Sequence, residues 1–110
     1  MKSLQNFINE SIDKKIGYQL GEELRNNNKE KINYNFSDSN KGWLLTFIGE
    51  QNQNDTEFMK NCYDLLNKTS IWEKIKKEIG SYHKINKEKR PIIYIADKDY
   101  LESIKKDLEN

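Results

Sequence analysis

Trp43-Leu44-Leu45-Thr46-Phe47-Ile48 is the stretch on which the fold turns. It is almost continuously apolar, as a central strand is. Just upstream, Ile32, Tyr34 and Phe36 alternate with Asn33 and Asn35, the pattern of a half-buried strand. Between the two runs, Ser37-Asp38-Ser39-Asn40-Lys41-Gly42 is rich in turn formers, so a β-hairpin is expected. Gly49 and the polar run Glu50–Asn54 close it.

Working outward, a helix is expected over 55–67, capped by Asn54 or Asp55. Phe58, Met59, Cys62, Leu65 and Leu66 would form its apolar face. Ser70-Ile71-Trp72-Glu73 matches a capping box. The helix it opens carries Ile71, Trp72, Ile75 and Ile79, with Gly80 at the place of a left-handed cap. Residues 81–90 read as a polar connection, and Pro91–Ala96 as a third strand with proline at its allowed first position. Asp99-Tyr100-Leu101-Glu102 suggests another capping box, with Asp97 as the alternative cap. Tyr100, Leu101, Ile104 and Leu108 would be the apolar side of the last helix.

Towards the N-terminus, Leu4, Phe7, Ile8 and Ile12 give an amphipathic helix over 2–15 that Ser3 can cap. Ile16, Leu20 and Leu24 continue at every fourth position, a stripe that drifts roughly 40° per step. A bend or break near Gly17 is therefore expected. Residues 18–25 would be a second short helix, although 16–20 also alternate like a strand. The order is α-(α)-β-β-α-α-β-α: a single α+β domain over 1–110, with about three strands and four or so helices.

Composition sets limits. Leu, Ile, Val and Phe make up 26 of 110 residues, above the ~20% that accompanies disorder, and the net charge is +1. The hydrophobic fraction of 35% implies a small core. Lys, Asn and Ile total 44 residues while Val is absent, a skew that follows AT-rich codons, so abundant lysine alone is no binding signal. The longest apolar runs are about six residues, where a membrane span needs ~20. No secretory leader is visible, and one cysteine cannot form an internal disulfide; the chain is expected in the cytoplasm.

No catalytic motif stands out, and the chain is expected to be a non-enzyme without a cofactor. His83, the only histidine, falls in the expected loop beside Tyr82 and Lys84, with no Cys, Ser or Asp arranged near it in sequence; it reads as exposed and non-catalytic. Cys62 reads as core, and so do Trp43 and Trp72. One Cys and one His cannot build a zinc site of the usual kind. Asp97, Asp99 and Glu102 read as helix caps ahead of metal ligands, and the five glycines form no phosphate loop. The main electrostatic feature is Glu73–Arg90, with seven basic residues against three acidic, net +4. Lys74, Lys77, Tyr82, Lys84, Lys87, Lys89 and Arg90 are its candidate binding residues, since basic side chains grip phosphates and aromatic rings stack on bases.

The opening Met1-Lys2-Ser3-Leu4-Gln5-Asn6-Phe7-Ile8-Asn9-Glu10 resembles the capsid-targeting leader of internal head proteins of T4-like phages. The resemblance implies cleavage after Glu10, with Ile8 and Glu10 as protease recognition positions, residues 1–10 as a removable leader and Ser11 as the new N-terminus. The same ten residues also suit an ordinary first helix. Some such internal proteins inhibit host restriction enzymes. Small size, the lack of a catalytic constellation, AT-rich usage, dense charge and this leader together lead to the expectation of a small phage or mobile-element protein that binds and inhibits a host protein such as a defence nuclease, in the host cell or packaged in a phage head. The alternatives are a nucleic-acid-binding module using residues 73–90 and a toxin-immunity protein.

Overall fold

The two apolar runs of the sequence become the two central strands of a four-stranded antiparallel sheet. The computed structural model describes residues 14–39, 41–49 and 54–109. Helix α1 is Lys14–Asn27, strand β1 Asn33–Ser39 and strand β2 Gly42–Ile48. Helix α2 is Asp55–Lys68, and α3, Ile71–Lys74, runs directly into a π-helical turn, Ile75–Ile79. Strands β3, Ser81–Ile85, and β4, Pro91–Ala96, form a second hairpin, followed by α4, Lys98–Ser103, and α5, Lys105–Glu109. The strand order is β1-β2-β4-β3, which makes the chain α+β with β2 and β4 in the centre.

Register explains the core. Leu45 faces Phe36 on β1 and Ile93 on β4, while Trp43 pairs with Ile95 and Phe47 with Tyr34. Directly opposed residues share a sheet face. That face is covered by α1 through Leu20 and Leu24, by α2 through Phe58, Cys62, Leu65 and Leu66, and by α3 through Ile71, Trp72 and Ile75. Trp43, Trp72 and Cys62 are all buried in it. The opposite face is half-buried at Leu44, Thr46 and Ile92.

Four expectations are corrected. The sheet has four strands, not about three, because Ser81–Ile85 pairs with β4 where a polar connection was expected. Its helix-facing positions are Ser81, His83 and Ile85, so an edge strand formed with hardly any apolar alternation to announce it. Helix α1 runs unbroken through Gly17 and Gly21, and no second helix starts at residue 18. Ser70 makes no side-chain cap to its own helix. Instead Glu23 of α1 accepts hydrogen bonds from Ser70 N (3.0 Å), Ser70 Oγ (2.7 Å) and Ile71 N (3.2 Å). Asp97, not Asp99, caps α4, accepting from Asp99 N at 2.9 Å. Asn54 caps α2 as expected, accepting from Glu57 N at 2.9 Å. The amphipathic segment before Lys14, with Ile8 and Glu10, lies outside the described residues. No described helix is long and apolar enough to cross a membrane.

Candidate functional site

The π-helical turn and Gly80 bring β3 into position. The Gly80 amide donates to the Ile75 carbonyl at 3.0 Å, closing the wide turn. Gly80 has φ 147°, a backbone conformation that disfavours side chains, and a β-carbon there would sit 2.8 Å from the Ala96 carbonyl oxygen. The glycine therefore lets the chain pass from helix to edge strand without a loop, where the sequence suggested a left-handed cap. Single π-helical turns of this kind frequently accompany functional sites.

A cleft of about 520 Å³ opens at this edge. It is lined by Lys76 from the π-helical turn, by Gly80, Ser81, Tyr82 and His83, and by Lys98, Leu101, Glu102 and Lys105 from α4 and α5. Three lysines from three separate elements thus line a cleft with one glutamate. Lys98 Nζ donates to the Lys77 carbonyl at 3.2 Å, tying α4 to the π-helical turn. Lys76 Nζ lies 3.0 Å from Glu73, and this ammonium holds the Glu73 carboxyl below the usual carboxylate range.

His83 is exposed, as expected, yet its ring is held on both nitrogens. Nε2 is 2.9 Å from Ser81 Oγ and Nδ1 is 3.1 Å from Tyr63 Oη. The Tyr63 ring is parallel to it at 5.7 Å, and Trp72 is tilted against it at 5.9 Å. Partial burial pushes the imidazole below its ordinary pKa and the Tyr63 phenol above its own. The expectation that no serine is arranged near His83 is corrected by Ser81, which strand alternation places on the same side.

The predicted basic residues are not gathered into one patch. Tyr82 lines the cleft. Lys84 donates to the Leu108 carbonyl at 3.3 Å, and Lys77 stays within 3.9 Å of Glu73. Lys74 is exposed on α3, while Lys87 and Lys89 are exposed on the β3–β4 turn. Arg90 is drawn away from the rest: it pairs with Asp55 at 2.9 Å and lies 4.7 Å over Phe58, its side chain only 12% exposed. Lys98 and Lys105 escaped sequence reasoning because they lie beyond the +4 stretch, and only the docking of α4 and α5 brings them to Lys76. Cys62 is fully buried, and burial pushes its thiol up to about 12. Among the described residues no three His, Cys, Asp or Glu side chains come together as a metal site.

Compared with known proteins, the chain matches no family model, no curated protein and no solved structure.

Proposed function

We propose that the chain is a nucleic-acid-binding protein that grips a single strand at the cleft beside β3. The observation that carries this reading is that Lys76, Lys98 and Lys105 line one cleft together with Tyr82. Ammonium groups track phosphates, and aromatic faces accept any base by stacking. A cleft of about 520 Å³ has room for a nucleotide of a single strand. Filter binding of a labelled oligonucleotide tests it. Wild-type chain retains single strands in preference to duplex, and Lys76→Gln with Lys98→Gln and Lys105→Gln lowers that retention. Equal retention by the triple variant rejects the reading.

A second reading, inhibition of a host protein such as a defence nuclease by a phage or mobile-element protein, draws on Tyr18. This ring is 67% exposed and lies edge-on to Trp43 at 5.5 Å. Exposed aromatic side chains on a rigid base serve as interface anchors. Tyr18→Ala then abolishes stoichiometric capture of the host protein, and oligonucleotide binding is unaffected. In this reading the chain recovered from phage heads begins at Ser11.

A further inference from the structure

Ser81 and His83 occupy alternate positions of β3, so the strand itself presents both side chains on one face. The Ser81 Oγ to His83 Nε2 distance of 2.9 Å and the His83 Nδ1 to Tyr63 Oη distance of 3.1 Å place a hydroxyl, an imidazole and an orienting group in one line of hydrogen bonds. That is the nucleophile, base and orienter relationship of covalent hydrolysis. The parallel Tyr63 ring and the tilted Trp72 ring fix the imidazole plane. Ser81 and His83 both open into the cleft that holds Lys76, Lys98 and Lys105.

We propose that Ser81 is a nucleophile activated by His83, acting on carboxylic esters that carry an anionic group, with Tyr63 as a positioning residue. In the tautomer that carries its proton on Nδ1, Tyr63 Oη accepts from Nδ1–H and the Nε2 lone pair faces the Ser81 hydroxyl. Burial lowers the His83 pKa and raises that of Tyr63, which favours the neutral forms this arrangement uses. Ser81 Oγ bonds to the acyl carbon as its proton passes to Nε2. The bond from carbon to the alcohol oxygen then breaks, and that oxygen takes the proton from Nε2. Water, losing a proton to Nε2, attacks the acyl-serine; the carboxylic acid departs and Ser81 regains its proton. The cleft ammonium groups bind the anionic end of the ester and offset the oxyanion charge. This inference stands on the geometry of β3 and does not depend on the nucleic-acid reading.

Labelling of the full chain with a fluorophosphonate ester tests it, since the Ser81 oxygen would displace fluoride at phosphorus and HF would leave. Peptide mapping of the wild-type chain is expected to show one adduct, on Ser81, and Ser81→Ala to show none. His83→Gln is expected to slow labelling by about 100-fold or more, the usual scale for a lost general base. Tyr63→Phe, with an unchanged melting curve, is expected to slow labelling and to move its pH profile. In turnover, 4-nitrophenyl succinate is expected to be cleaved faster than 4-nitrophenyl acetate, a preference lost in Lys76→Gln with Lys98→Gln. No adduct on Ser81, or equal labelling of the His83→Gln chain, overturns the nucleophile. An unmoved Tyr63→Phe profile overturns the positioning role, and equal cleavage of the two esters overturns the substrate class. Because oligonucleotide binding is read separately, these failures are distinct from failure of that function.

Discussion

The indole of Trp43 fills the space that a β-carbon at residue 17 would occupy: such a carbon would lie 1.8 Å from Trp43 Cε2. Helix α1 therefore needs glycine at this turn in order to lie on the sheet. In an exposed helix Gly→Ala stabilises by about 1 kcal/mol. Here overpacking, at about 1–3 kcal/mol, opposes and exceeds it. Gly17→Ala is expected to lower stability in urea denaturation by up to about 2 kcal/mol; a gain would show that α1 and Trp43 do not touch this way.

Glu23 links α1 to the start of α3. Burial alone would raise its pKa, but the hydrogen bonds from Ser70 and Ile71 outweigh it, and the carboxyl lies below its ordinary value. A depressed carboxylate contributes stability above its unfolded pKa and loses it as pH falls through the folded one. Glu23→Ala is expected to cost about 1–2 kcal/mol near neutrality and to flatten the acid limb of the stability curve. Equal acid limbs for the two chains would remove Glu23 from this role.

His83 gives a separate pH window. The groups that face it are Ser81, Tyr63 and Trp72, and its cleft is shared with Lys76, Lys98, Lys105 and Glu102. Its folded pKa lies below the ordinary value. The unfolded chain therefore takes up a proton first, and stability declines as pH drops from about 6.5 towards the folded pKa. Chemical denaturation between pH 5 and 7 is expected to show this decline in the wild type and to lose it in His83→Gln. An identical slope in both would contradict it.

Cys62 is fully buried against Phe58, Leu65 and Leu66, with its thiol raised to about 12. Thiolate is the reactive form, so Ellman's reagent at neutral pH is expected to react with Cys62 only as fast as the chain opens, and at once in denaturant. Rapid labelling of the native chain would contradict the packing of α2.

Much of this fold was legible because the apolar minority falls at helix and strand periods. Trp43–Ile48, Pro91–Ala96 and the Asn54 cap are local patterns, and all three appear in the structure. What escaped was non-local. Strand β3 carries Ser81 and His83 where a core strand would carry aliphatic residues, and its pairing with β4 supplies what its own side chains do not announce. Ser70-x-x-Glu73 has the residues of a capping box, yet a carboxylate 47 positions upstream, Glu23, takes that amide. The stripe Ile16, Leu20, Leu24 suggested a break at Gly17, but the glycine answers to Trp43 on another element. The cleft lysines are unreadable in sequence for the same reason, since their proximity is set by topology.

The measurement that bears most directly on the proposed function is the affinity of the full chain for a fluorescent single-stranded oligonucleotide across a salt series. Three phosphate contacts predict a log–log slope of about −2 between roughly 50 and 200 mM salt, with each removed ammonium flattening it by about 0.7. Lys76→Gln, Lys98→Gln and Lys105→Gln should each weaken binding and reduce the slope, while Lys74→Gln on the exposed side of α3 leaves both near the wild-type values. A wild-type slope near zero, or an unchanged affinity and slope in the three cleft variants, would contradict a strand held by this cleft.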